Sequence, residues 1–369
     1  MALRSRLREA LQACSHSKVQ RPPQVLEQSS WYPAGSVAWK QLTLDSTDGR
    51  PEGRIPVSLC APLSPSSLGE EASAVIQLHA LGQSRHQVKH RLQQYAHAGI
   101  LGVSFDARFH GGRVDLDNQL CWNSLNGYAN ALSRAWDTKD TSIRPFLMSS
   151  ALDALQVASW LKSESSCNTI GTTIVRVGMG GISLGGMVTT LAASADDFIS
   201  FAAPEIGVQS FSYALDNGMY KPRADSLPGN VFQTAIREVD GSEGELSAHV
   251  AEKVYDVISP GLVREFDGPS VLPLIANSKP LLVLSGSEDP RCPLPGVKEC
   301  AASARDAFAK SSTTQPPPRF LVEEGVGHKC TEKMESTAQR WLIKVARGEL
   351  NEADAEVTEL SAHGTFQLI

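Results

Sequence analysis

No two of the seven cysteines stand at C-x-x-C spacing, and their number is odd. Cys14, Cys60, Cys121, Cys167, Cys292, Cys300 and Cys330 therefore offer neither a disulfide framework nor a thiolate zinc site, and they point to a reducing compartment, the cytoplasm being the plainest choice. Blocks of positive charge are also missing. No run of Lys and Arg exceeds two residues, and the formal net charge is −6 at pH 7. Holding a phosphate backbone by counterion release needs dense positive charge, so nucleic acid is not expected as a partner. No apolar core long enough for a secretory signal occurs near the N-terminus. Internal repeats are absent as well.

Residues 1–21 carry Arg4, Arg6, Arg8 and Lys18 against the single acid Glu9. That composition leaves an organelle transit segment open beside a plain surface helix, on which Leu3, Leu7 and Leu11 share one face. One uncharged stretch, Val177–Ala195, is about as long as a membrane span. Its glycines at 178, 180, 181, 185 and 186 suit a tight strand-to-helix turn instead, so no transmembrane segment is expected.

What the chain does have is an ordinary globular composition over 369 residues, with 41% hydrophobic and 20% charged residues. That suits one α/β domain with an insertion. Strands are predicted at Ser36–Leu44, Arg54–Ala61, Ala74–His79, Ile100–Phe105, Ile174–Gly178, Phe198–Ala203, Pro280–Leu284 and Arg319–Val322. The first two are separated by a turn at 46–49, and a Pro- and Ser-rich loop follows at Pro62–Gly69. Helices are predicted at Arg85–His97, Ser142–Lys162 with Pro145 in its first turn, Leu184–Ala195, Val297–Ala309 and Thr331–Val345. This alternation predicts a mostly parallel sheet covered on both faces. It lapses between Glu205 and Pro280, where Leu246, Val250, Val254 and Ile258 fall on one helical face, so a helical cap is expected over about 208–275. Residues 1–35 are set apart as a helix and extended segment, 36–347 as the α/β domain, and 348–369 as an acidic, partly disordered tail.

Gly181-Ile182-Ser183-Leu184-Gly185 matches G-x-S-x-G, after a β-branched strand and before a helix. A serine on such a cramped turn projects its hydroxyl from the sheet, and the flanking glycines keep side chains from colliding there. A hydroxyl is a weak nucleophile and needs a base within hydrogen-bond reach. His328, in Gly325-Val326-Gly327-His328 between a strand end and a helix, is placed to take its proton. Asp289 follows the strand at Pro280–Leu284 and is expected to orient the imidazole, with Glu288 and Glu205 as rivals and a plain Asp-Pro turn as the bland alternative. Backbone N–H groups of Leu81, in His79-Ala80-Leu81-Gly82, and of Leu184 are candidates for an oxyanion hole. His79, Arg108 and His110 are candidate substrate contacts, though Asp106 and Arg108 serve equally to brace their loop. A dinucleotide site at Gly178-Met179-Gly180-Gly181 is excluded, because its third glycine falls on Ser183. No cofactor or metal is called for.

Taken together these segments resemble the α/β-hydrolase superfamily over about Ser36–Arg347. They look most like its prolyl-oligopeptidase/dienelactone-hydrolase-like esterase branch and a plant-type esterase/lipase/thioesterase group. The signatures D-x-R-[FY]-H-G, G-[IV]-S-[LM]-G-G and G-x-x-D-P-R-x-P are met by the segments beginning at Asp106, Gly181 and Gly286. Departures are Ala80 for the first glycine of H-G-x-G, serine rather than the cysteine of dienelactone hydrolases proper, and Ile182 where true lipases often carry His. The resemblance implies an α/β-hydrolase fold and hydrolysis of a small-molecule acyl ester or thioester through an acyl-enzyme. A non-catalytic small-ligand receptor on the same fold is the alternative. Nothing in the sequence encodes an oligomeric state.

Overall fold

A computed structural model describes residues 2–13, 22–45, 53–113, 124–139, 144–241, 244–350 and 366–369. The predicted turn at 46–49, Cys14, Cys121 and most of the acidic tail lie outside the described residues. In chain order the first elements are α1 (Ala2–Gln12), β1 (Val25–Gln28), β2 (Tyr32–Ala34), β3 (Val37–Asp45), β4 (Arg54–Pro62), β5 (Glu71–Leu78), α2 (Lys89–His97) and β6 (Leu101–Phe105). Next come α3 (Ser124–Thr138), α4 (Met148–Leu161), α5 (Glu164–Ile170), β7 (Thr173–Ile182), α6 (Leu184–Ala195) and β8 (Phe201–Glu205). Five helices follow: α7 (Phe211–Asp216), α8 (Lys221–Asp225), α9 (Val231–Asp240), α10 (Ala248–Ile258) and α11 (Gly268–Ala276). The chain ends through β9 (Leu282–Gly286), α12 (Leu294–Ala309), β10 (Arg319–Glu323), α13 (Glu332–Arg347) and β11 (Phe366–Leu368).

The strands form one sheet in the order β1-β3-β4-β6-β5-β7-β8-β9-β10-β11, with β2 paired to β3. The central run from β6 to β10 is parallel, and the flanking pairs are antiparallel. Each central strand reads as a continuous apolar run because both faces are covered. Side chains nonetheless alternate between faces: Leu281, just before β9, and Val283 within it join the core under α4 and α6, whereas Leu282 and Leu284 join the core under α2 and α13. From β5 the chain moves outward to β6, then returns to the other side of β5 as β7. The crevice at the carboxyl ends of β5 and β7 is thus a topological switch point, where α/β sheets place their ligand sites.

Several predicted boundaries shift for local reasons. Residues 142 and 143 of the helix expected at Ser142–Lys162 lie outside the described residues; from Arg144 on, helix begins at Met148, because Leu147 has φ 67° and Pro145 disfavours helix in the residue before it. β7 runs on to Ile182, since Gly180, Gly181 and Ile182 pair with Ala203, Pro204 and Glu205 of β8. The 208–275 segment is helical, but α11 packs on α6 and α12 as part of the main layer. In turn α3, absent from the sequence reading, packs against α9 and α10. The end of the acidic tail adds β11 antiparallel to β10.

The stretch Val177–Ala195 is the end of β7, the turn and α6, and no helix among the described residues is long and apolar enough to cross a membrane. The basic N-terminal helix is docked. Leu7 and Leu11 are fully buried against α4, α6 and α11, and Arg4 donates to the Leu274 carbonyl and pairs with Asp197. Leu7→Ala is expected to cost about 2–5 kcal/mol through the cavity it leaves. Urea denaturation measures this, and a loss below about 0.5 kcal/mol, the scale of a surface substitution, would mean that α1 does not dock.

Candidate active site

Ser183 occupies the turn between β7 and α6 with φ 54° and ψ −107°, a conformation that non-glycine residues rarely adopt. The turn is that sharp because backbones approach on three sides. A Cβ at Gly181 would lie 2.3 Å from the Gly185 carbonyl oxygen, and one at Gly185 would lie 2.8 Å from that of His79. Gly207, just beyond β8, is under the same constraint: a Cβ there would sit 2.6 Å from the Ser183 carbonyl oxygen. The Ser183 N–H donates to the Glu205 carbonyl at 2.8 Å, tying the turn to β8. A serine preceding a helix usually caps it with its hydroxyl. Here the hydroxyl makes no cap bond, and its Oγ lies 2.7 Å from His328 Nε2 instead.

His328 lies between β10 and α13, and its Nδ1 donates to Asp289 Oδ2 at 2.7 Å. The donation fixes the tautomer, leaving Nε2 as the acceptor for the serine proton. Asp289 follows β9, is 2% exposed, and takes the backbone N–H groups of Arg291 and Cys292 on Oδ1 at 2.8 and 3.1 Å. It is therefore both an Asp-Pro turn and the partner of the imidazole. Burial pushes its carboxyl up, but the hydrogen bonds from His328 and the two backbone amides outweigh that and hold it below the usual carboxylate value. The loops carrying Asp289 and His328 are stitched together: Glu288 N–H donates to the Val326 carbonyl, and Gly325 N–H to Ser287 Oγ.

Burial lowers the His328 pKa. Asp289 opposes this, and the charges of Arg223 and Arg291 add to it. The net shift favours the neutral imidazole over the imidazolium. Of the rival acids, Glu205 is fully buried in an ion pair with Arg91 and accepts from the Cys330 thiol, and Glu288 is exposed.

Leu81 and Leu184 line the narrow pocket onto which Ser183 opens, together with Phe146, Met187, Arg223, Ser226, Leu227 and Arg291. The Leu184 N–H is at the first position of α6, where no intrahelical acceptor exists, at the positive end of the helix dipole. In-register pairing of Leu78 with Gly181 brings the loop bearing Leu81 beside the turn.

The three expected substrate contacts are not at the pocket, and this corrects the sequence reading. His79 is 1% exposed, with Nδ1 donating to the Ala80 carbonyl and Nε2 accepting from Ala107 N–H. Arg108 is buried and pairs with Asp153 through two nitrogens at 3.1 Å each. His110 is fully buried, its Nδ1 donating to the Arg108 carbonyl, and burial pushes its pKa down to about 4. Their polarity serves to shape the loops: His79 joins the loop after β5 to that after β6, while Asp106 receives Arg85 and the Gly112 N–H. Arg223, Ser226 and Leu227 come from the cap, where no sequence signal marks them. Arg291 stood within the quoted D-P-R-x-P segment, two residues from Asp289.

Asp289, Cys292 and His328 are near enough to share an ion, their donor atoms lying within 4.8 Å of one another. They do not fit that use. The carboxylate and Nδ1 are already bonded to each other, and burial pushes the Cys292 thiol up to about 12, far from the thiolate a metal requires.

No family model matches the chain, and no curated protein matches its sequence. Solved structures do. Acetyl xylan esterase 1 from Thermoanaerobacterium sp. JW/SL YS485 is 18% identical over 93% of this chain and 92% of its own, with TM-score 0.60. An acetyl xylan esterase from Paenibacillus sp. R4 is 17% identical over 94% and 95%, also with TM-score 0.60. A glucuronoyl esterase from Solibacter usitatus is 14% identical over 94% and 92%, with TM-score 0.55. At these identities the likeness shows the fold, which is that of the α/β-hydrolases.

Two outcomes are expected. Gly207→Ala displaces the Ser183 backbone and lowers the rate of Ser183 labelling by a fluorophosphonate about 10²-fold, the scale of a misplaced nucleophile. A rate within twofold of the parent would remove Gly207 from the account. Labelling plotted against pH has its acid limb below the ordinary imidazole value of about 6.5. Arg291→Gln removes a nearby positive charge, favours the imidazolium, and moves that limb to higher pH, whereas a limb that stays put or moves down contradicts the charge argument.

Proposed function

We propose that the protein is a serine hydrolase that cleaves carboxylic esters of small molecules through an acyl-enzyme, with Ser183 as nucleophile, His328 as general base and acid, and Asp289 as the orienting carboxylate. The observation that carries this is the unbroken chain from the Ser183 hydroxyl to His328 at 2.7 Å and from His328 to Asp289 at 2.7 Å, opening onto a pocket. His328 Nε2 takes the hydroxyl proton as Oγ attacks the acyl carbon. Negative charge on the carbonyl oxygen is met by the Leu184 N–H at the helix start and by the Leu81 N–H. The imidazolium, steadied by Asp289, returns its proton to the leaving alcohol, and water activated by the same imidazole releases the acid.

The three similar structures are of esterases, which supports the reading. So do the segments at Asp106, Gly181 and Gly286, which favour the prolyl-oligopeptidase/dienelactone-hydrolase-like branch. A thioester would pass through the same steps with a better leaving group. The described cysteines Cys60, Cys167, Cys292, Cys300 and Cys330 are free thiols, in keeping with a reducing compartment such as the cytoplasm. A receptor on this fold would have no use for a serine held against a neutral imidazole.

The test is turnover of p-nitrophenyl acetate with fluorophosphonate labelling of Ser183. Ser183→Ala is expected to abolish labelling and to lower kcat about 10⁶-fold, roughly 8 kcal/mol. Undiminished turnover in that variant would defeat the assignment.

A further inference from the structure

Two arginines line the pocket onto which Ser183 opens, and neither has a carboxylate partner among the described residues. Arg223, from α8, is 4% exposed. Its Nη2 donates to the Arg291 carbonyl at 3.2 Å and to Cys292 Sγ at 3.1 Å. With the Gln209 amide turned so that its nitrogen donates to the Arg291 carbonyl, its oxygen accepts from Arg223 Nε at 3.3 Å. Every one of these acceptors is neutral, Cys292 included, since burial keeps its thiol protonated. Arg291, half-buried on the turn after β9, enters no side-chain hydrogen bond or ion pair with the described residues. Asp289, the nearest acid in sequence, has its oxygens taken by His328 and by two backbone amides.

The arginines of the neighbouring loops are treated differently. Arg91 is matched by Glu205, Arg108 and Arg113 by Asp153, and Arg85 by Asp106. A buried cation without a counter-charge is costly, and a fold that supplies acids to the surrounding arginines has left these two for something else. Guanidinium groups are suited to bidentate capture of carboxylate and phosphate.

Resting on the hydrolase reading above, we propose that Arg223 and Arg291 form an anion-binding subsite. The substrate is then a short ester whose acid or alcohol part carries a carboxylate or phosphate close to the scissile carbonyl. The two side chains flank the same narrow pocket as Ser183 and Leu184, so the anionic group and the ester are held together. This is a role in selecting substrate, separate from stabilising the oxyanion, which every ester would share.

The experiment compares kcat/KM for 4-acetoxybenzoate and 4-acetoxyphenyl phosphate with the neutral 4-acetoxybenzamide, and for monomethyl succinate with methyl butyrate. The first set places the charge on the alcohol side and distinguishes carboxylate from phosphate, and the second places it on the acid side. At least one charged ester is expected to exceed its neutral counterpart about tenfold, mainly through KM, the scale of one charge-assisted hydrogen bond. That ratio falls about tenfold in Arg291→Gln and in Arg223→Gln, and Arg291→Glu inverts it in favour of 4-acetoxybenzylammonium. Because Arg291 has no side-chain partner to lose among the described residues, its variants carry the test even where Arg223→Gln fails to fold. Wild-type protein that hydrolyses the neutral esters without preferring the charged ones, or variants with an unaltered ratio, overturn the subsite alone. No hydrolysis of any ester, with Ser183 unlabelled, overturns the hydrolase reading and the subsite with it.

Discussion

The site depends on how closely four stretches of backbone are allowed to approach one another. The turn at Ser183 is wedged between the start of α6, the loop after β5 and the segment after β8, and at Gly181, Gly185 and Gly207 there is no room for a single added carbon. That crowding holds a serine at φ 54° and turns its hydroxyl away from the helix it would otherwise cap. The strain is sustained because the surroundings over-determine it: β-sheet pairing on both flanks of β7, the bond from Ser183 N–H to β8, and the packing of α6 on the sheet.

Charge is organised around this turn in two tiers. Below the pocket, Asp106 and Asp153 gather Arg85, Arg108 and Arg113 and so fix the shape of the loop after β6. Glu205 does the same for Arg91 under α2. These ion pairs are fully or largely buried, so each member depends on its partner. At the pocket the pattern changes, with one carboxylate committed to an imidazole and two arginines among the lining residues without an acid of their own among the described residues. The same positive charges add to the lowering of the His328 pKa.

Much of this was legible in the sequence. Period and composition mark the central strands, and α6 begins and ends where its pattern predicts. The residues at 183, 289 and 328, which the structure links by hydrogen bonds, are legible because each follows a strand end, which local sequence reveals. His79 and His110 misled as substrate contacts for the converse reason, while Arg108 braces its loop, the other role the sequence allowed. They too follow strands, but the loops they occupy fold inward, and only coordinates show that their polar atoms meet backbone and Asp153. The cap hides most. α3 is separated by a long stretch of chain from the α9 and α10 it packs on, and Arg223 reaches the pocket from a five-residue helix with no periodic signature. Contacts set by long-range packing leave no local trace.

One detail of the turn after β9 has a geometric consequence. The backbone amide of Arg291 is bonded to the same carboxylate that holds the imidazole. Its side chain therefore leaves the backbone one hydrogen bond away from the carboxylate that holds His328. The carbonyl of the same residue accepts from Arg223 of α8, so a shift of that helix reaches the root of the cationic arm as well as the opening.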